Sequence, residues 1–253
     1  MPAAATVDYK SFFGDRDGCF ILQDIKTGKV VEEFNSERCS QRISPFSSFK
    51  IAAALMGFES GVLKDENQVI KWDGKKHEID EHNQDLTTAT WMKYSAKWVT
   101  EWMMPQIGSK KIQKYLHDFS YGNEDFSGGL TDAWQSSSLK ISATEQLAFL
   151  TRLWKEKLPL SPRTFALTKK IIFIKDLENK VSVYGKTGTG CLVGHDCMTK
   201  PDKMVGWFVG IAKTKTGEYV FAANATDTKP MKDGAGPRLR RDVIGLLEKL
   251  TLP

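Results

Sequence analysis

The chain has 253 residues and is mildly basic, with 36 Lys and Arg against 31 Asp and Glu for a formal net charge of +5. A hydrophobic fraction of 41% with 14 Phe supplies a sizeable core and excludes a disordered chain. The basic runs Lys75-Lys76, Lys110-Lys111 and Lys169-Lys170 are too short and scattered for a nucleic-acid face, and no stretch of about 18 apolar residues offers a membrane span.

The opening segment, Met1 to Thr6, lacks the charged start and apolar run of a signal peptide, so the chain reads as a mature exported form or a cytosolic protein. Cys19-Phe20-Ile21-Leu22 begins a strand, Lys26-Thr27-Gly28 turns it, and Val30-Val31 with Phe34 returns it, which is a hairpin. After Pro45 the pattern becomes an apolar helix, Ile51 to Met56, ending near Gly57 or Gly61. Helical and loop signals continue to about Pro162, with Trp72, Trp91, Trp98, Trp102, Trp134 and Trp154 along the way. Strand signals then return at Val181 to Tyr184, Trp207 to Ile211 and Tyr219 to Ala222. Val243, Leu246, Leu247 and Leu250 share one face of a last helix.

Strands at both ends of the chain can share one antiparallel sheet with the helical middle inserted between them. The fold expected is α+β: a central antiparallel sheet flanked by helices, with an inserted helical lobe. It forms one discontinuous domain, with a sheet lobe of about 1–50 and 163–253 and a helical lobe of about 51–162. None of the four cysteines makes a C-x-x-C pair or a zinc spacing with the four His, so no metal is expected. Cys19 opens one strand and Cys39 follows its partner strand, while Cys191 and Cys197 flank a short loop. Such a placement suits disulfides and an oxidising compartment, four buried thiols being the alternative.

Ser47-Ser48-Phe49-Lys50 is an S-x-x-K at the start of a helix, where positions i and i+3 share a face and bring hydroxyl to amine. The unpaired N–H groups of a helix N-terminus favour an oxyanion there. Serine needs a base, and burial against Phe49, Ile51 and Leu55 favours the neutral lysine amine. The motif is weak alone, since Ser137-Ser138-Leu139-Lys140 repeats it without an apolar helix behind. Lys-Thr-Gly occurs three times, at 26–28, 186–188 and 215–217. The first and third read as hairpin turns. Only Lys186-Thr187-Gly188 follows an alternating strand and leads through Thr189-Gly190 towards a second apolar strand.

In this order the motifs resemble those of β-lactamases and penicillin-binding proteins, and among these the class D (oxacillinase-type) serine β-lactamases. Pro45-Phe46 before the serine, Lys71-Trp72-Asp73, Tyr121-Gly122-Asn123, Asp125-Phe126-Ser127-Gly128, Trp134, Ser138 to Ser142 and Gly206-Trp207-Phe208 extend the likeness over nearly the whole chain. The resemblance implies hydrolysis of small-molecule β-lactams through an acyl-enzyme on Ser47, in the periplasm or outside the cell, by a monomer or homodimer. It implies that Lys50 is carbamylated by CO2 (bicarbonate), with no other cofactor, and that the Trp134 indole donates to the carbamate. Ser95 would relay a proton with Lys186. The N–H groups of Ser47 and Thr189 would form the oxyanion hole, beside Gly188. Thr187 and Arg240 would hold the substrate carboxylate, with Arg238 and Arg241 as neighbouring candidates.

One position departs from the family pattern. Its S-x-V triplet is here Ser95-Ala96-Lys97. A lysine pointing inward would bear on the Lys50 charge, whereas one reaching water would only cover the site with its stem. The inward reading favours an alternative function, a penicillin-binding sensor domain that is acylated without turnover.

Overall fold

The computed structural model describes residues 7–192, 204–228, 234–250 and 252. A short helix α1 (Tyr9–Phe13) precedes the expected hairpin, strands β1 (Asp17–Asp24) and β2 (Val30–Phe34). Their turn is closed by Asp24, whose carboxylate accepts the Thr27 N–H at 2.7 Å, and by Gly28 at φ +73°. This accounts for the first Lys-Thr-Gly as a turn. Helix α2 (Ser36–Ser40) leads to a 3-10 turn, Phe46–Phe49, which runs directly into α3 (Lys50–Glu59).

The helical middle contains α4 (Thr88–Tyr94), α5 (Lys97–Ile107), α6 (Ser109–Asp118) and α7 (Ala143–Trp154). It also holds a two-residue ladder of β3 (Val69–Ile70) with β4 (Leu86–Thr87), too short to leave a periodic signal. Helix α8 (Pro162–Ile171) continues the helical run beyond the expected boundary near Pro162, and the sheet resumes with β5 (Phe173–Asp176). Strands β6 (Ser182–Cys191), β7 (Met204–Lys213) and β8 (Glu218–Thr226) follow, then α9 (Ala235–Lys249). The main sheet among the described residues has the order β2-β1-β8-β7-β6-β5, every neighbouring pair antiparallel. First and last segments of the chain therefore meet in its middle, where β1 pairs with β8.

Both faces of this sheet are covered, which is why β7 reads as an apolar run rather than an alternation. Ile21, Val209, Ile211, Val220 and Ala222 pack against the helical lobe with α3 and α7, while Phe20, Leu22, Phe208, Phe221 and Ala223 pack with Val243 and Leu247 of α9. Helix α3 is buried from Lys50 through Phe58, a central helix apolar on every side except for its first residue. No described helix is long and apolar enough to cross a membrane.

Cys19 and Cys39 form a disulfide with Cα atoms 5.4 Å apart, tying β1 to α2 and thereby to the segment that enters the 3-10 turn. Cys191 is also disulfide-bonded, while Cys197 lies outside the described residues, as do Met1 to Thr6. The Cys19–Cys39 bridge, between residues 20 apart in sequence, removes unfolded-chain entropy worth about 3 kcal/mol. The paired Cys19→Ser, Cys39→Ser variant is therefore expected to melt several degrees lower than the parent. Calorimetry with and without reductant checks this: reductant should lower the parent's melting temperature and shift the variant less.

Candidate active site

The turn that carries Ser47 is held from three sides. Phe46 adopts φ +49°, a conformation that few non-glycine residues occupy, and its N–H donates to the Trp134 carbonyl at 2.9 Å. Ser48 donates through Oγ to the Pro45 carbonyl at 2.6 Å and accepts from Gln146 Nε2 at 3.1 Å, with Tyr121 on the same buried amide. Upstream, Ser44 accepts from Lys140 Nζ through its hydroxyl at 3.0 Å and from Trp207 Nε1 through its carbonyl at 2.9 Å. The second S-x-x-K is thereby explained. Ser137 to Lys140 is not helical, Ser138 Oγ donates to the Asp125 carbonyl, and Lys140 reaches away to brace the strand entering the 3-10 turn. The signal for this role was present in the motif, but its partner lies 96 residues away in sequence.

Ser47 and Lys50 meet as their spacing requires: Lys50 Nζ donates to Ser47 Oγ at 3.2 Å. Ser47 lies inside the 3-10 turn rather than on the α-helix proper, because α3 begins at Lys50. As the second residue of that turn, it has an N–H without a partner in the turn. Lys50 is fully buried, and loss of hydration lowers its pKa to about 7, with Glu101 pulling upward and Lys97 pushing downward.

Lys97 takes the outward orientation. Its side chain is half exposed, and its ammonium pairs at 2.7 Å with Glu101, one helical turn on along α5. The i, i+4 spacing was the available signal for Glu101, which the sequence reading missed. Buried indoles elsewhere find acceptors: Trp91 donates to Thr100, Trp98 to the His82 carbonyl and Trp207 to the Ser44 carbonyl. Trp134 does not. Its Nε1 is buried without a hydrogen-bond partner among the described residues, although its ring stacks on Phe49, next to Lys50 in sequence, at 5.5 Å between centroids. A buried donor left open is costly unless a small acceptor meets it.

Strand β6 partitions the site. Its even residues Lys186, Gly188 and Gly190 face the serine turn. A Cβ on Gly188 would lie 2.7 Å from the Pro45 carbonyl oxygen and 3.1 Å from Ser48 N, and one on Gly190 would enter the Phe46 ring. Its odd residues face α9, where Thr189 Oγ1 accepts the Gly236 N–H at 2.9 Å. Gly185 donates to the Ile172 carbonyl, just before β5. The two-residue period of a strand puts the N–H groups of Thr187 and Thr189 on that same edge, past the point where β5 ends its pairing at Phe173 and Tyr184. An unpaired Thr189 N–H on the edge next to the Ser47 turn suits an oxyanion.

Lys186 is buried, and desolvation followed by repulsion from Lys50 and Arg240 holds its pKa well below the ordinary lysine value. It donates to the Thr187 carbonyl at 3.1 Å and hydroxyl at 3.3 Å, not to Ser95. Ser95 caps α4 in a left-handed conformation, φ +63°, and its hydroxyl makes no hydrogen bond among the described residues. Of the three neighbouring arginines, Arg238 is buried against Asp227 in an ion pair. Arg240 is exposed and lines the same cleft as Lys186 and Thr187. That cleft does not extend to Ser47.

A family model described as the penicillin binding protein transpeptidase domain matches residues 18–242. β-Lactamase OXA-1 of Escherichia coli is 34% identical over 99% of this chain and 92% of its own. The probable β-lactamase YbxI of Bacillus subtilis is 37% identical over 95% of this chain and 83% of its own. The crystal structure of a class D β-lactamase from Bacillus subtilis superimposes with a TM-score of 0.86 at 35% identity, covering 98% of either chain.

With a folded pKa of about 7 against an ordinary 10.5, Lys50 binds its proton more weakly in the native state. Between these values the unfolded chain holds the extra proton, so this group makes stability rise with pH across that window. In buffer freed of carbon dioxide, the Lys50 amine is expected to titrate near pH 7 by NMR of 13C-labelled lysine. Glu101→Gln should move the midpoint down and Lys97→Gln should move it up.

Proposed function

The chain belongs to the class D β-lactamase family, and from that membership we propose that it hydrolyses β-lactams through an ester on Ser47, with carbamylated Lys50 as general base. The observation that carries this reading is the pairing of a buried, readily neutral Lys50 at 3.2 Å from Ser47 Oγ with the unpartnered Trp134 indole. The neutral amine is the form that takes up CO2, and Trp134 Nε1 is the donor fitted to hold the product. Once carbamylated, Lys50 supplies an anion able to accept the protons of Ser47 and of the hydrolytic water.

In this reading Ser47 Oγ attacks the lactam carbonyl carbon, and its own N–H with that of Thr189 receives the oxyanion. The carbonyl C–N bond then breaks, and Ser95 passes its hydroxyl proton to the departing nitrogen and regains one from the Lys50 carbamate, which took it from Ser47, with Lys186 holding that network. Water cleaves the Ser47 ester and restores the hydroxyl. Thr187 and Arg240 hold the ring carboxylate, Arg240 by a two-pronged contact. The absence of a Ser95–Lys186 hydrogen bond in the free protein leaves that relay to be completed when substrate arrives. The Cys19–Cys39 disulfide supports work in an oxidising compartment, periplasmic or extracellular. Lys97, the residue that favoured an acylated but non-hydrolysing sensor, is occupied by Glu101 and gives that alternative no support.

With nitrocefin the protein is expected to show many turnovers. Activity should fall as pH drops through about 7 and be restored in part by bicarbonate, because protonated Lys50 cannot take up CO2. Lys50→Ala should lose about 10²- to 10⁴-fold in rate together with the carbamate signal in 13C-bicarbonate NMR. Trp134→Phe should need more bicarbonate for the same occupancy. Full turnover by Lys50→Ala without bicarbonate would sink the carbamate reading, and a single stoichiometric burst would sink hydrolysis.

A further inference from the structure

The Lys186, Thr187 and Arg240 end of the site opens into a cleft of about 1000 Å³ walled by α4, the α8–β5 junction, β6 and α9. Its floor is apolar, with Met92, Ile172, Ile174, Ile244 and Pro237. Its rim is cationic. Lys93, Lys175 and Arg240 are exposed there, and none has a carboxylate partner among the described residues. Lys170 is paired with Glu66, and Glu248 is the one carboxylate among the lining residues. Folding thus gathers unneutralised cations from three separate elements around a wall of low polarity, which focuses positive potential into the cleft.

We infer that this cleft is a second anion subsite, taking an acidic group that the substrate carries beyond its ring carboxylate. The inference rests on the proposed function for its first anchor, the carboxylate held by Thr187 and Arg240. Beyond that anchor, the apolar floor receives the connecting part of the substituent and Lys93 and Lys175 meet its charge. The Arg240 charge already bears on Lys186, and an anion in the cleft offsets it. The specificity-determining residues are therefore Lys93 and Lys175, which touch neither the lactam ring nor Ser47 in this arrangement.

The test compares two cephalosporins that differ only in the substituent beside the ring carboxylate, one neutral and one ending in a carboxylate. At low ionic strength the parent enzyme is expected to favour the dianion by about fivefold to tenfold in kcat/KM, as two exposed charge pairs allow. Added salt should shrink that preference. The Lys93→Gln, Lys175→Gln double variant should bring the ratio close to one. The proposal is overturned if the parent shows no preference, or if the double variant slows both substrates equally, since that marks a general field and not a subsite. Calorimetric binding of the same pair to Ser47→Ala reads the ratio without turnover. Absence of hydrolysis then counts against the proposed function, while the Kd ratio still decides the subsite.

Discussion

Lys50 stands at the first position of a helix otherwise apolar and buried through Phe58, and its amine has no access to water. Burying an ammonium without a counter-ion is costly, and the amine responds by giving up its proton near neutrality. Most of the surrounding arrangement follows from that constraint. The aromatic shell of Phe49 and Trp134 keeps the place dry, and the Lys97 charge close by is balanced by Glu101 on the solvated face of α5. One polar donor, Trp134 Nε1, is left open in this shell. Lys50 beside Ser47 thus owes the ready neutrality of its amine to burial.

A second constraint is distance. The serine turn, strand β6 and the start of α9 are stacked so closely that Gly188, Gly190 and Gly236 have no room for a Cβ. Close stacking lets one strand serve two sides: Lys186 turns to the buried amine of Lys50, and Thr187 turns to Arg240. The electrostatics follow from it. Lys186 feels the charges of both Lys50 and Arg240, and burial holds the two lysines towards neutrality. Arg240 stands exposed at the mouth of a cleft with a cationic rim.

Local chemistry made much of this legible in the chain. The i, i+3 spacing of Ser47 and Lys50, the apolar helix behind them, the Asp24 to Gly28 turn and the two-residue alternation of Val181 to Tyr184 are short-range patterns. Local backbone geometry enforces such patterns wherever they stand. The short β3–β4 ladder and β5 escaped notice because two to four residues carry no period. Helix α8 hid behind a proline at its own first turn, a position where proline is tolerated.

What the sequence determined by itself is therefore the meeting of Ser47 with Lys50, the first hairpin and the alternating strand that carries Lys186. Each of these is encoded within a few neighbouring residues. Only the tertiary structure decided what the second S-x-x-K does and that Arg238 turns to Asp227 while Arg240 and Arg241 line the cleft. It alone also turned Lys97 towards Glu101 and left the Trp134 indole unpaired. Those outcomes depend on burial and on partners far apart in the chain, such as Lys140 on Ser44 and Arg238 on Asp227. A lysine in sequence is the same residue everywhere, but its charge and its partner are properties of the place to which folding brings it.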